Sequence, residues 1–135
     1  MYILEGDIIP GIKIGKFVIG SLKKRIMEYI GSEYEEIEVD GVSIITVDNA
    51  KMWFDNNNRL QQIGVSSGFE NKYNTIGIGS TMEDVKRKFG SYYNEYDEYM
   101  INGVDGICFE LGDLDELDYW DEKIAPIEWI FVYKV

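Results

Sequence analysis

Ile78-Gly79-Ser80-Thr81-Met82-Glu83-Asp84-Val85-Lys86-Arg87-Lys88-Phe89-Gly90-Ser91 decides how this chain is read, because its pattern occurs twice. Ile19-Gly20-Ser21 matches Ile78-Gly79-Ser80, and Gly31-Ser32 matches Gly90-Ser91. Between them Ile26 matches Val85 and Ile30 matches Phe89; beyond them Tyr34 matches Tyr93 and Glu36 matches Glu95, every pair offset by 59 residues. Each copy carries the signals of a short helix. Ser21 and Ser80 are candidate N-caps, and Ser80 with Glu83 forms a candidate capping box. Leu22, Ile26, Tyr29 and Ile30 fall on one helical face, as do Thr81, Met82, Val85 and Phe89. Gly31 and Gly90 stand where a left-handed C-cap is favoured.

Strand patterns follow each helix. Glu36 to Val39 alternates, Gly41 turns into Val42–Val47, and Met52-Trp53-Phe54 leads through Asp55-Asn56-Asn57-Asn58 into Leu60–Val65, which is hairpin chemistry. In the second copy Tyr93 to Ile101 reads as one strand, Asn102-Gly103 as a turn, Gly106 to Leu111 as a second strand and Ile127 to Lys134 as a third. The expected fold is therefore α+β, with two helix-plus-three-strand repeats (about 19–77 and about 78–135) in one domain, forming one antiparallel sheet with helices on one face. Ile37 and Val39 are expected to face the core, with Glu36, Glu38 and Asp40 toward water.

The pattern Ile78-Gly79-Ser80-Thr81-Met82-Glu83-Asp84-Val85…Phe89-Gly90, with its fainter copy Ile19-Gly20-Ser21…Ile26…Ile30-Gly31, resembles the tandem-repeat β-lactamase-inhibitor-protein fold and the single-repeat domain of the outer-membrane assembly lipoproteins. The resemblance spans about residues 19–134. It implies a helix layer behind a sheet whose free face grips a protein. The disulfides of the inhibitor proteins are impossible here, since Cys108 is the only cysteine. Immunity proteins of bacterial toxin systems include small proteins of this fold, and acidic ones commonly neutralise basic nucleases.

Composition narrows the function. The 135 residues suit one domain, and 45% apolar residues are enough for a core without disulfide or metal. The net charge of −12 opposes binding to nucleic acid or to an anionic membrane and favours a basic protein. The charge is uneven: residues 1–90 carry 13 acids and 11 bases, residues 91–135 carry 12 acids and 2 bases. A stable fold does not require that asymmetry, so it points to a partner. The start Met1-Tyr2-Ile3-Leu4-Glu5-Gly6-Asp7 has no secretory pattern, no stretch has the length of a membrane span, and with a lone cysteine the expected compartment is cytoplasmic.

Catalytic chemistry lacks its usual parts. The chain has no histidine, so neither a Ser-His-Asp nor a Cys-His arrangement can form. Cys108, in the run Gly106-Ile107-Cys108-Phe109, reads as a small buried hydrophobe. Asp113 and Asp115 begin a calcium-loop spacing, but Leu117 and Ile124 occupy later ligand positions. Gly11…Gly15 and Gly77…Gly79 do not continue into phosphate-loop motifs. No catalytic residue, metal site or cofactor is expected.

What remains is acidic and aromatic. The segment Tyr92-Tyr93-Asn94-Glu95-Tyr96-Asp97-Glu98-Tyr99 joins tyrosines to carboxylates. Gly112 to Glu122, with no counterpart in the first copy, adds Asp113, Asp115, Glu116, Asp118, Asp121 and Glu122 around Tyr119 and Trp120. Tyrosine and tryptophan dominate many binding hot spots, and acids steer a cationic partner. Tyr92, Glu95, Tyr96, Asp97, Glu98, Tyr99, Asp113, Asp115, Glu116, Asp118, Tyr119, Trp120, Asp121 and Glu122 are the expected partner-binding residues. The sequence thus points to an immunity-type inhibitor of a basic toxin, a nuclease by preference. The alternatives are a non-inhibitory adaptor or chaperone-like module, and a small-molecule binder or carboxylate enzyme.

Overall fold

A computed structural model describes residues 2–114 and 119–135. Three two-residue strands come first: β1 (Ile8–Ile9), β2 (Lys13–Ile14) and β3 (Phe17–Val18). Helix α1 (Lys23–Ile30) is followed by β4 (Glu35–Val39), β5 (Val42–Val47), β6 (Ala50–Phe54) and β7 (Leu60–Val65). Helix α2 (Met82–Phe89) is followed by β8 (Tyr92–Glu95), β9 (Glu98–Ile101), β10 (Ile107–Leu111) and β11 (Ile127–Tyr133). The eight strands after the helices form one antiparallel sheet in the order β4-β5-β6-β7-β11-β10-β9-β8, and β1-β2-β3 make a small second sheet.

This corrects the expected α+β fold of helix-plus-three-strand repeats. The described chain is mostly β, and four strands follow each helix. In the first copy the patterns from Glu36 to Val39, Val42–Val47, Met52 to Phe54 and Leu60–Val65 are four separate strands, and the second copy gains its fourth because Tyr93 to Ile101 is two. Tyr96 and Asp97 take φ of 53° and 65° and form a two-residue hairpin in which Glu95 pairs with Glu98. Positive φ at both central positions matches the right-handed twist of the flanking strands. The Asn94 side-chain oxygen accepts a hydrogen bond from the Asp97 amide at 2.9 Å and holds the turn. Tyr96 carries a strand signal that masks the turn chemistry of Asn94 and Asp97.

The sheet register sorts the side chains. Ile45, Met52, Ile63, Val132 and Ile107 run across five strands on one face, beside the row Val47, Ala50, Val65, Ile130 and Phe109. All ten are buried, and they share one core cluster with Ile26 and Ile30 of α1 and with Met82 and Val85 of α2. At roughly 25 cal/mol per Å² of apolar area removed from water, this layer is the main stabilising element.

Edge strand β4 reverses the expected alternation. Glu36 pairs with Ile45 and Glu38 with Ser43, so the two acids lie on the core side, and Ile37 and Val39 lie on the other face, 59% and 51% exposed. Glu36 is tolerated there because Lys23 of α1 and the Ser43 hydroxyl both hydrogen-bond its carboxylate. Those bonds hold its pKa below the usual carboxylate value. β4 is the outermost strand and all five of its residues are exposed, so its inward positions can carry charge.

The helix termini also shift by a residue. Thr81, not Ser80, is the N-cap of α2: its hydroxyl accepts from the Asp84 amide and the Asp84 carboxylate accepts from the Thr81 amide. The capping box therefore spans Thr81 and Asp84 instead of Ser80 and Glu83. The N-cap of α1 is Leu22, without a side-chain bond. Gly31 and Gly90 end the helices at φ of 83° and 95°.

Residues 2–18 had no assigned place in the sequence. Buried Asn49, in the β5–β6 turn, accepts from the Ile3 amide at 2.8 Å and donates to the Ile3 carbonyl at 2.7 Å. At the other end of this segment the Gly11 amide donates to the Gly106 carbonyl. A Cβ on Gly106 would stand 2.3 Å from the Gly11 nitrogen, and Gly106 has φ of 87°, so only glycine fits. Asn49→Ala removes both bonds to Ile3 and leaves buried backbone groups unpaired. It is expected to lower unfolding free energy by about 1–3 kcal/mol in urea titrations followed by far-ultraviolet circular dichroism.

Candidate interaction surface

The sheet face opposite the core is aromatic. Phe131 pairs across the sheet with Gly64, and Trp53, Trp129 and Tyr133 lie on the same face. The Trp129 and Phe131 rings stack at 5.8 Å between centroids and 11° between planes. Trp53 meets Phe131 edge-on, also at 5.8 Å. Met100 and Cys108 complete this second cluster. Gly64 makes the arrangement possible, because a Cβ there would come within 2.5 Å of two Phe131 ring carbons. Phe131 lies over the bare backbone of Gly64, as aromatics do when they cover a strand glycine. The Lys51 ammonium sits over the Trp129 ring, 5.3 Å from its centroid.

An acidic row runs into this ridge. Glu95 and Glu98 are directly opposite each other. Phe109 pairs with Tyr99, which puts Glu110 beside Glu98, and Glu110 pairs with Trp129. The row on the open face is therefore Glu95, Glu98, Glu110, Trp129. All three acids are exposed. Like charges directly opposite on a sheet are destabilising, by roughly 0.2–1 kcal/mol per pair, so this row is not explained by folding.

Beside it lies a cleft of about 530 Å³ whose lining includes Tyr96, Asp97, Glu98, Glu110, Asp113 and Trp120. The Trp120 indole N–H donates to the Gly112 carbonyl at 3.1 Å, which anchors one wall. A larger depression of about 810 Å³ lies between residues 2–7 and 13–17, where Glu5 and Asp7 meet Lys13 and Lys16. It is the bigger space, but a lining that carries both charges makes it the weaker candidate for a cationic partner.

The sequence-derived residues divide among these places. Glu95, Tyr96, Asp97, Glu98, Asp113 and Trp120 come together around the acidic row and its cleft. Tyr96 is 96% exposed at the hairpin tip, and Tyr119 is exposed on the 119–121 stretch. Tyr92 and Tyr99 turn inward: Tyr99 is buried, and Tyr92 is half-buried with its hydroxyl donating to Glu122 at 2.7 Å. Asp121 closes a turn by accepting from the Lys123 amide. Asp115, Glu116 and Asp118 lie outside the described residues.

Trp53, Trp129, Phe131, Tyr133 and Glu110 were not singled out from the sequence. The signal for three of them is present in Ile127-Glu128-Trp129-Ile130-Phe131-Val132-Tyr133, where Trp129, Phe131 and Tyr133 recur at every second residue opposite Ile130 and Val132.

Cys108 lies beneath this surface as an inert group. Burial, with the nearby Glu98 and Glu110 carboxylates, pushes its thiol up to about 12, so the thiolate is scarce at neutral pH. Among the described residues no group of three or more His, Cys, Asp or Glu is placed to hold a metal ion, and no helix is long and apolar enough to cross a membrane. No family model, curated protein or solved structure matches this chain.

Two outcomes follow from this geometry. Gly64→Ala should displace Phe131 and cost about 1–3 kcal/mol, with a loss of near-ultraviolet circular dichroism from the tryptophans. Burial and the Glu122 carboxylate push the Tyr92 hydroxyl up to about 12, against a usual phenol value of 10. A folded pKa raised above the unfolded one contributes stability that is complete below pH 10 and lost as pH rises toward 12. Glu122→Gln should move the Tyr92 step of an ultraviolet phenolate titration to lower pH.

Proposed function

We propose that this chain is an immunity-type inhibitor that binds a basic bacterial toxin of the nuclease class and occludes it. The observation that carries the reading is the row Glu95, Glu98, Glu110 and Trp129, three exposed carboxylates leading into a pre-packed aromatic ridge. The carboxylates would engage the lysines and arginines with which a nuclease holds phosphates. Their field speeds encounter and selects the partner, while Trp129, Trp53 and Tyr133 supply desolvated contact area. The ridge is held by stacking before any partner arrives, so little side-chain entropy is lost on binding. The net charge of −12 repels nucleic acid itself and matches a cationic protein. Inhibition would work by covering the toxin's site, with no bond made or broken by the inhibitor.

The test uses the product of the reading frame beside this one, since immunity proteins are encoded next to their toxins. The purified pair is expected to form a 1:1 complex in which the toxin's nuclease activity is lost. Trp129→Ala should weaken the complex roughly thirtyfold or more, on the hot-spot scale of about 2 kcal/mol. A 1:1 complex with full nuclease activity would replace the inhibitor reading with that of a non-inhibitory adaptor.

A further inference from the structure

The edge strand β4 combines three properties. It is regular, pairing with β5 over Glu35 to Val39 without a bulge. All five of its residues are exposed, and it is the outermost strand of the sheet. Alternate amides and carbonyls of such a strand point away from β5 and have no sheet partner, because an antiparallel ladder uses only every second residue on each side. Natural edges with exposed apolar residues are normally blunted by lysine, proline or a bulge. Here Ile37 and Val39 stand on the open face, 59% and 51% exposed, next to Ile44 and Val42. Its protection is charge: Glu35, Glu38 and, in the turn, Asp40 are acidic, while Glu36 is held by Lys23 and Ser43.

That protection is selective. A second copy of the chain pairing antiparallel through β4 brings acid against acid in each near register. Centred on Ile37, Glu36 meets Glu38 twice. Centred on Glu38, that residue meets its own copy and Glu36 meets Asp40. Centred on Glu36, Glu36 meets itself. Like charges directly opposite on a sheet repel, so the edge rejects itself. The same carboxylates attract an incoming strand that carries Lys or Arg, and Ile37 and Val39 offer it apolar neighbours at alternate positions.

We propose that β4 is a strand-addition site for an extended segment of another protein in which apolar residues alternate with lysine or arginine. The segment becomes a ninth strand: backbone hydrogen bonds supply affinity, and the alternating side chains supply specificity. Its apolar residues extend the open face beyond Ile37, Ile44 and Trp53, which pair in one row. The inference rests on the reading that the partner is a basic protein and adds the way in which part of that partner is recognised.

The probe is a blocked eight-residue peptide alternating lysine and valine, with an equally charged lysine–glycine peptide as control. Isotope-labelled protein is titrated at low ionic strength, where exposed charges are least screened. The lysine–valine peptide is expected to shift the amide signals of residues 35–39 and to slow exchange of alternate amides there, and the glycine control to leave them unchanged. Glu38→Lys and Ile37→Lys, both at exposed positions, should each weaken peptide binding about tenfold while the core signals stay in place. Equal shifts from both peptides, or shifts confined to β8 and the Tyr96–Asp97 turn, would overturn the proposal. So would a wild-type chain that dimerises in sedimentation with exchange protection over residues 35–39. The peptide result stands apart from the toxin experiment: loss of toxin inhibition with an intact response at β4 removes the inhibitor reading only, and the reverse removes strand addition only.

Discussion

Phe131 lies across Gly64 at the centre of the sheet, and both faces of the molecule depend on that contact. It belongs to the pairing of β7 with β11, the step that joins the strands following α1 to those following α2. On the inner face the same pairing sets Ile63 against Val132 and Val65 against Ile130, so the helices share one core. On the outer face it places the Phe131 ring over a residue with no side chain, which lets Trp129 stack on it and Trp53 abut it. A side chain at position 64 would disturb both consequences at once. The aromatic ridge is thus a product of how the two halves are joined, and its rigidity comes from the sheet beneath it.

Charge is arranged around this centre with little regard for stability. Glu95, Glu98 and Glu110 stand in a row where neutral residues would pack without repulsion, and β4 carries acids along a free edge. The acids whose pKa values shift, Glu36 and Asp84, are both lowered by hydrogen bonds that serve the fold. These two carboxylates have partners within the chain that account for them, whereas Glu95, Glu98 and Glu110 are aligned with one another and face outward. A surface that tolerates self-repulsion in this way suits a cationic partner, whose approach relieves it.

Much of the framework was legible in the residues. The strands Val42–Val47 and Leu60–Val65 and the hairpin at Asp55–Asn58 follow from alternation and from asparagine-rich turn chemistry. The helices were legible from capping and periodicity to within a residue or two. The fold class was not: the first copy's four strand patterns already exceed three, and in the second copy the strand preference of Tyr96 masks the turn chemistry of Asn94 and Asp97. The facing of β4 was also misread. Period-two alternation tells which residues share a face, but only the sheet order tells that this strand lies at the edge, where acids can point inward to Lys23 and Ser43. Composition pointed to the acidic end of the chain. Alternation puts Trp129, Phe131 and Tyr133 on one face, but their meeting with Trp53 depends on pairing between strands distant in sequence, which no local pattern encodes.

Hydroxyl-radical footprinting of the complex with the neighbouring reading frame's product tests the central claim most directly, because it reads aromatic side chains one by one. The open-face account predicts that Trp53, Trp129 and Tyr133 lose reactivity on binding while Tyr2 and Tyr29, exposed elsewhere, keep theirs. Protection of Tyr2 or Tyr29 with Trp129 unchanged would contradict it and move the interface off the open face of the sheet.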